Sequence, residues 1–321
     1  MAAPTHADFA AARKRLERAQ RILLLTHVGP DSDAIGSLLG MAHLLWAAGK
    51  DVVAACADPA PEYTRFLTGI ETVTANPSGV FDLVMALDAA DLGRVGGLGT
   101  RFAAEIQIVV DHHITNPGFG AVNLIDPNAA STAELITTHL DDLGLTLNAS
   151  AAECLLAGVV GDTQGFRTPS TTPATLAAAQ QLVAAGANLS RAIDLSLHTR
   201  SFAIVRLWGE GLSRLKLQDG IAWALLPIAA RKAAGYGGNG DADLVNLLST
   251  IREASIVIMM TERQDGRIKI SWRSRPGVNV GTLAAAFGGG GHAQAAGAEV
   301  DGPLEAAEQR ILAATRQLLS R

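Results

Sequence analysis

The sequence predicts an α/β protein of two domains: a doubly wound, mainly parallel sheet, then a helical linker, then a smaller α/β domain with a mixed sheet. Three observations predict it. The first half alternates short, almost wholly apolar runs with helical patterns, as strands covered on both faces require. From Ser131 to about Leu215 the periodicity is helical throughout. Beyond that, two apolar segments are each interrupted by Asp-Gly, the dipeptide of tight hairpins. The boundaries read from these shifts are residues 1–188 for the first domain, 189–214 for the linker and 215–321 for the second.

The strand candidates of the first half are "RILLLTH", "DVVAACA", "FDLVMALD", "AEIQIVVDHH" and "AVNLIDP". Between the first two lies "DAIGSLLGMAHLLWAAGK", where Ile35, Leu38, Leu39, Ala42 and Leu45 recur at helical spacing. Gly49 stands where a helix C-terminus is expected. This strand–helix–strand unit is the building block of doubly wound sheets. Four helical segments follow: "STAELITTHLDDLG", "SAAECLLAGVVGD", "PATLAAAQQLVAAG" and a long one from Leu189 to Leu215 that bridges to the second domain. There, "LKLQDGIAWALLP" and "ASIVIMMTERQDGRIKISWRSR" read as hairpins. "GYGGNGDADL" reads as a flexible loop, and "VGTLAAAF" and the stretch from about Leu304 as helices.

Composition narrows the function. With 321 residues, 48% hydrophobic and 18% charged, the chain has enough apolar material for two soluble domains. The formal net charge of −5 argues against a broad basic surface for long nucleic acid, but not against a short anion held by a few aimed groups. Cys56 and Cys154 each lie in an apolar run and read as buried free thiols of a reducing compartment. The N-terminus has no signal-type apolar core, and no run approaches the roughly 20 residues that span a bilayer. The expectation is a cytoplasmic protein without a membrane anchor.

Ionisable residues gather at the ends of the predicted strands: His27 after the first, Asp88 after the third, Asp111, His112 and His113 after the fourth. Open α/β sheets place their ligands at that edge. Asp31 and Asp33 follow His27 closely, and Asp162 ends an apolar helix. His27, Asp31, Asp33, Asp88, His112 and Asp162 therefore form one set of two imidazoles and four carboxylates. Crowded carboxylates repel each other and are costly to bury unless cations neutralise them. Six such ligands suffice for two divalent ions if one aspartate is shared. Paired ions activate water against phosphorus. A set without thiolate favours Mn2+, with Mg2+ or Co2+ as further candidates, over structural zinc. In the second domain the glycines of "GGGGHAQAAG" free the backbone to approach a phosphate, and His292 adds a donor.

The motifs "HVGPDSDAIGS", "LDAAD", "DHH" and "GDTQGFR", in this order, resemble those of the DHH phosphoesterase family. "GGGGHAQAAG" resembles the signature of the DHH-associated C-terminal domain. The resemblance spans about residue 20 to 300 and is strongest to compact members that act on very short RNA and on pAp. It implies one metal on His27, Asp31 and Asp88 and a second on Asp33, Asp88, His112 and Asp162, with Asp88 bridging. It implies that Asp111 orients His112 by a hydrogen bond and that His113 faces the substrate as phosphate contact or proton donor. It further implies substrate contacts at Arg273, Gly289, Gly290, Gly291 and His292, while Arg275 reads as a solvated surface charge.

The function so implied is metal-dependent hydrolysis of oligonucleotides of a few units to nucleoside 5′-monophosphates, with pAp 3′-phosphatase activity beside it. The partners are then short RNA or DNA, pAp or dinucleotides, and many relatives are homodimers. An alternative within the enzyme class is cleavage of cyclic di-AMP or pApA. One outside it is a non-catalytic nucleotide-binding regulatory module. His43, His139 and His198 read as ordinary helix histidines. Arg94 and Arg167 lie near motifs, where contact with substrate and a capping or surface role are equally open, and Thr132 and Glu134 read as helix-start residues.

Overall fold

A computed structural model describes residues 3–238 and 240–319. It divides into two compact units, Met1–Thr199 and Arg200–Arg321.

The first unit opens with α1 (His6–Arg18), a helix absent from the elements predicted from sequence. Thr5 caps it, with Asp8 completing the reciprocal capping box, and Phe9, Ala12 and Leu16 are its buried face. Then come β1 (Arg21–Leu25), α2 (Ser32–Ala47), β2 (Asp51–Ala55), β3 (Leu83–Leu87), α3 (Gly97–Phe102), β4 (Ile106–Asp111) and β5 (Val122–Ile125). Helices α4 (Thr132–Thr138), α5 (Leu140–Leu143), α6 (Ala149–Asp162), α7 (Pro173–Ala184) and α8 (Leu189–Ile193) complete the unit. All five strands run parallel in the order β2-β1-β3-β4-β5. This is a doubly wound sheet, as the sequence predicts. The chain leaves β1 toward β2 on one side and returns to β3 on the other, so the switch in strand order lies between β1 and β3.

Alternation along the strands explains the two-sided core. Ile22 and Leu24 pack with the helical side, which includes α1, α2 and α6. Leu23 and Leu25 pack with Val84, Val109, Leu98 and Phe102 on the other. Close approach of α2 and α6 rests on glycine. A Cβ at Gly36 would come within 2.5 Å of the Cys154 carbonyl oxygen, and one at Gly161 within 2.4 Å of Ser32 Cβ. Both cysteines are free and buried.

The predicted bridging helix from Leu189 to Leu215 is broken. Residues Asp194–His198 form a single π turn, Thr199 is extended, and a new helix, α9 (Phe202–Leu212), starts under a Ser201 cap in the second unit. The serine hydroxyl takes the Ile204 amide, offering the backbone an alternative to a continuous helix.

The second unit continues with β6 (Lys216–Gln218), β7 (Ile221–Leu226), α10 (Ile228–Ala234), α11 (Leu244–Leu248), β8 (Ile256–Glu262), β9 (Ile268–Ser274), α12 (Val280–Ala286), β10 (Gly290–Gly291), β11 (Ala295–Val300) and α13 (Leu304–Leu319). Its sheet has the order β10-β11-β9-β8-β7-β6 and is mixed, as predicted. Asp219 and Gly220 turn the first hairpin with both residues at positive φ, the geometry of a type I′ turn. The second hairpin pairs β8 with β9. Between the hairpins, β7 and β8 are parallel, which demands a crossover. Helices α10 and α11 supply it, one on each side of the loop read from sequence in "GYGGNGDADL", where Asn239 lies outside the described residues.

Candidate metal centre

The C-terminal ends of β1, β3 and β4 bring the motif residues together at the switch point. His27 follows β1 by two residues, Asp88 follows β3 directly, and Asp111 ends β4. Asp88 adopts φ 54°, a left-handed conformation uncommon for a residue with a side chain and found where function fixes the backbone. Its amide is held by the Val110 carbonyl.

Asp88 is the centre of the arrangement and 2% exposed. Its Oδ2 is 3.5 Å from His27 Nε2, and its Oδ1 is 3.6 Å from His112 Nε2. Asp31 Oδ1 lies 3.9 Å from His27 Nε2 while capping α2 through the amides of Asp33 and Ala34. Asp162, the last residue of α6, is 3.1 Å from His112 Nε2. Potential ligand atoms of His27, Asp31 and Asp88 all lie within 4.8 Å of one another, as do those of Asp33, His112 and Asp162 and those of Asp88, His112 and His113. The six residues singled out in sequence thus converge, with Asp88 facing both histidines.

The remaining imidazole nitrogens have partners that leave Nε2 free. His112 Nδ1 is 3.3 Å from the Ala129 carbonyl. His27 Nδ1 is 3.0 Å from the Val28 carbonyl and 3.2 Å from Arg94 Nη2. One nitrogen cannot serve both, and donation from Nδ1 to the carbonyl is the tautomer that a cation held on Nε2 would require.

Asp111 departs from the role given it by resemblance. Its Oδ1 accepts a 2.7 Å hydrogen bond from His113 Nδ1, and its Oδ2 accepts one from Asn116 Nδ2 at 2.6 Å. Asp111 therefore orients His113, not His112. Side chains alternate at a strand end, so residue 113 shares a side with 111 while 112 projects the other way. Asn116, fully buried and also bonded to the Ala89 carbonyl, was not picked out in sequence.

Electrostatics describe a site overloaded with negative charge. Burial, then the charges of Asp88 and Asp162, push Asp33 well above the usual carboxylate range. Asp31 leaves 52% of its side chain exposed yet sits deep among protein atoms. That crowding, with Asp88 and Asp162, pushes it up to about 6. Burial would raise Asp88 too, but the hydrogen bond from His27 and the charges of His112, His27 and His113 hold it below its ordinary value. Burial opposes charge on His112, yet Asp162 and Asp88 raise it well above the ordinary imidazole. The hydrogen bond to Asp111 raises His113 against the effect of burial. An oxygen-rich, thiolate-free set whose carboxylates cannot all ionise comfortably is what divalent cations stabilise, so the residues fit the implied group.

Two further side chains hold the carboxylates. Ser37 Oγ donates to Asp33 Oδ1 at 3.1 Å, and Thr132 Oγ donates to Asp88 Oδ1 at 2.9 Å. Of the helix-start residues, Glu134 does what was expected, accepting the Ala130 amide, whereas Thr132 also enters the site. Its signal in sequence was only the capping pattern, which points equally to a structural role. His43 and His139 behave as ordinary helix residues, bonded to the Thr68 carbonyl and to Asp142.

In the second unit, Arg273 lies opposite Ala295 in the β9–β11 pairing, beside the turn that carries His292. Its Nε donates to Asn246 Oδ1 of α11 and its Nη1 to the Trp272 carbonyl. Burial lowers its pKa, with Asp241 and Asp243 opposing. His292 is exposed, and its imidazole has no partner among the described residues; its amide donates to the Ala295 carbonyl. The glycine run is more structured than a loose cradle. Gly290 and Gly291 pair with Gly297 and Ala296, and a Cβ at Gly289 would lie 2.1 Å from the Gly297 carbonyl oxygen. Arg275 is not merely solvated: its guanidinium bonds the carbonyls of Ile251, Arg252 and Ala254.

Comparison with known proteins agrees with this geometry. Residues 21–159 match the N-terminal domain of the DHH family, and residues 229–321 match the DHHA1 domain. The chain is 37% identical to the bifunctional oligoribonuclease and PAP phosphatase NrnA of Thermus thermophilus, over 94% of this chain and 90% of that protein. It is 30% identical to the protein of the same name from Bacillus subtilis, over 91% and 92%. Among solved structures, an exopolyphosphatase-related protein from Bacteroides fragilis superposes with a TM-score of 0.88 at 27% identity, covering 98% of this chain and 96% of its own. The chain belongs to the DHH family of phosphoesterases.

Proposed function

We propose that the protein hydrolyses oligonucleotides of a few units to nucleoside 5′-monophosphates and also removes the 3′-phosphate of pAp. The observation that carries the reading is the convergence of His27, Asp31, Asp33, His112 and Asp162 around Asp88 at the sheet's switch point. Its support in comparison is the name shared by the Thermus and Bacillus relatives, each matched over nearly its whole length.

His27, Asp31 and Asp88 would hold one divalent cation, and Asp33, Asp88, His112 and Asp162 a second. When bound, such a pair supplies Lewis acidity that activates water and stabilises charge on phosphorus. The chain's own groups do the rest. Asp111 holds the Nδ1–H of His113 and favours its doubly protonated form, whose Nε2–H can contact the phosphate or deliver its proton to the leaving oxygen. Burial of Asp33 and Asp88 keeps their charge unscreened by solvent. Arg273, His292 and the backbone at Gly289, Gly290 and Gly291 would hold a terminal phosphate of a short substrate, and a net charge of −5 suits short anions over long ones. We assign Mn2+ as the working ion on the oxygen-rich donor set. Buried free thiols suit the cytoplasm, and a homodimer, tested by light scattering, is the expected assembly.

The test is Mn2+-dependent hydrolysis of a 5′-labelled RNA dinucleotide by wild type and Asp88→Ala. Loss of about 10³-fold, about 4 kcal/mol of transition-state stabilisation, is expected; undiminished turnover overturns the shared-ligand assignment. A kcat/KM panel of pApA, longer RNA, pAp and cyclic di-AMP then ranks substrates. Preference for the cyclic compound would replace the present reading by the alternative drawn from sequence.

A further inference from the structure

An aspartate that serves two ligand sets must keep its carboxylate plane fixed, and side-chain preference does not do this. The terminal torsion of aspartate is broad and nearly two-fold, so intrinsic rotamers leave the two oxygens free to swing. Asp88 also starts from an unusual backbone, at φ 54°. Something outside the residue must set the plane.

We infer that Thr132 is the positioning residue of Asp88, its hydroxyl setting the carboxylate so that Oδ1 faces His112 and Oδ2 faces His27. The hydroxyl oxygen lies 2.9 Å from Oδ1. An ionised carboxylate only accepts, so the proton on this bond is the threonine's, and the direction of the bond is fixed. Thr132 is 0% exposed and Asp88 2%, which leaves no bulk water to take over the bond. The same segment grips a second proposed ligand. The Thr132 amide donates to Asp33 Oδ2 at 2.6 Å, and the Ala133 amide donates to Asp33 Oδ1 at 3.0 Å. The segment is itself braced, with Ser131 Oγ accepting the Glu134 amide and the Glu134 carboxylate accepting the Ala130 amide. Two carboxylates from distant motifs are thus referred to one point, the beginning of α4.

The inference rests on the reading of this site as a divalent-cation centre. Its test is calorimetric titration of Mn2+ into metal-free wild type, Thr132→Val and Thr132→Ser, with hydrolysis of an RNA dinucleotide measured alongside. Valine keeps the shape without the hydroxyl, and serine keeps the hydroxyl without the methyl. Thr132→Val is expected to bind Mn2+ about 10–100-fold more weakly, the usual effect of losing a group that orients a metal ligand, while Thr132→Ser stays within about 3-fold of wild type. Wild-type affinity in Thr132→Val, or equal weakening in both variants, overturns the assignment. Should the valine variant fail to fold, Thr132→Ala gives the same contrast against serine. Wild-type protein that binds Mn2+ without cleaving short RNA overturns the proposed substrate and leaves Thr132 to be decided by binding; failure to bind Mn2+ or Mg2+ at all overturns both.

Discussion

Replacing Gly36 with alanine tests whether close packing of α2 on α6 sets the geometry of the site. The added Cβ would lie 2.5 Å from the Cys154 carbonyl oxygen, 2.9 Å from Gly158 N and 3.1 Å from Gly158 Cα. All three are backbone atoms of α6, so no rotamer change relieves the clash and the helices must part. Overpacking of this kind costs about 2–3 kcal/mol, at the upper end of its usual range. Alanine's better helix propensity returns about 1 kcal/mol, leaving a net loss of about 1–2 kcal/mol. For a unit of this size the melting temperature should fall by roughly 2–8 °C. The companion substitution is Gly209→Ala in α9, where a Cβ meets nothing within 4 Å. There the propensity gain stands alone, and the second unit should gain up to about 1 kcal/mol. Scanning calorimetry, reading the transitions of the two units, distinguishes the cases. Parting α6 from α2 also carries Asp162 away from His112, so Mn2+ affinity should fall in Gly36→Ala and hold in Gly209→Ala. An unchanged or raised first transition in Gly36→Ala would refute the packing argument.

Glycines of the second unit should separate in the same way: Gly289→Ala strikes the Gly297 carbonyl and should disrupt the β10–β11 turn and raise KM for phosphate-ended substrates, whereas Gly290→Ala meets open space and should melt with wild type. Glu308 accepts from Lys216 Nζ at 2.7 Å and Trp223 Nε1 at 2.6 Å, and these bonds hold its pKa below the ordinary value although burial opposes them. A depressed carboxylate stabilises above its unfolded pKa and loses that contribution as pH falls through the folded one. Glu308→Gln should therefore cost about 0.5–1 kcal/mol at neutral pH and nothing at acid pH, read from urea unfolding across the range. Burial raises the thiol pKa of both Cys56 and Cys154. Neither should react with an aromatic disulfide reagent before guanidinium unfolds the chain. For Cys154 the native state retains a proton that the unfolded chain releases, so stability should decline as pH rises above about 9, and Cys154→Ala should flatten that slope.

Strand runs were legible because a parallel sheet covered on both faces leaves uninterrupted apolar stretches such as "ILLL" and "LVMAL", whose ends mark the ligand edge. The clustering of His27, Asp88 and His112 followed from that edge alone. What escaped was local competition and long-range contact. A serine cap at Ser201 broke a helix whose periodicity ran on unchanged. Helices α10 and α11, of seven and five residues, are too short for a helical period to stand out, and with them the parallel pairing of β7 and β8 was hidden. The preference of Asp111 for His113 depended on which side of a strand end each residue faces. Thr132 and Asn116 carry no distinguishing type or spacing; only the fold brings one to Asp88 and the other to Asp111.

The donors of the site are strung between residue 27 and residue 162, on three strand ends and two helices. An unfolded chain would have to close several long loops at once to gather them, so its affinity for the ions is negligible beside that of the folded unit. A cation that binds only the native form adds its binding free energy to folding, about 2.7 kcal/mol at a hundredfold excess over Kd. With the proposed ions bound, the first unit would owe part of its working stability to the ionic content of its surroundings, while the second, outside this linkage, would not. Chelation should act on this molecule as a selective denaturant of one half.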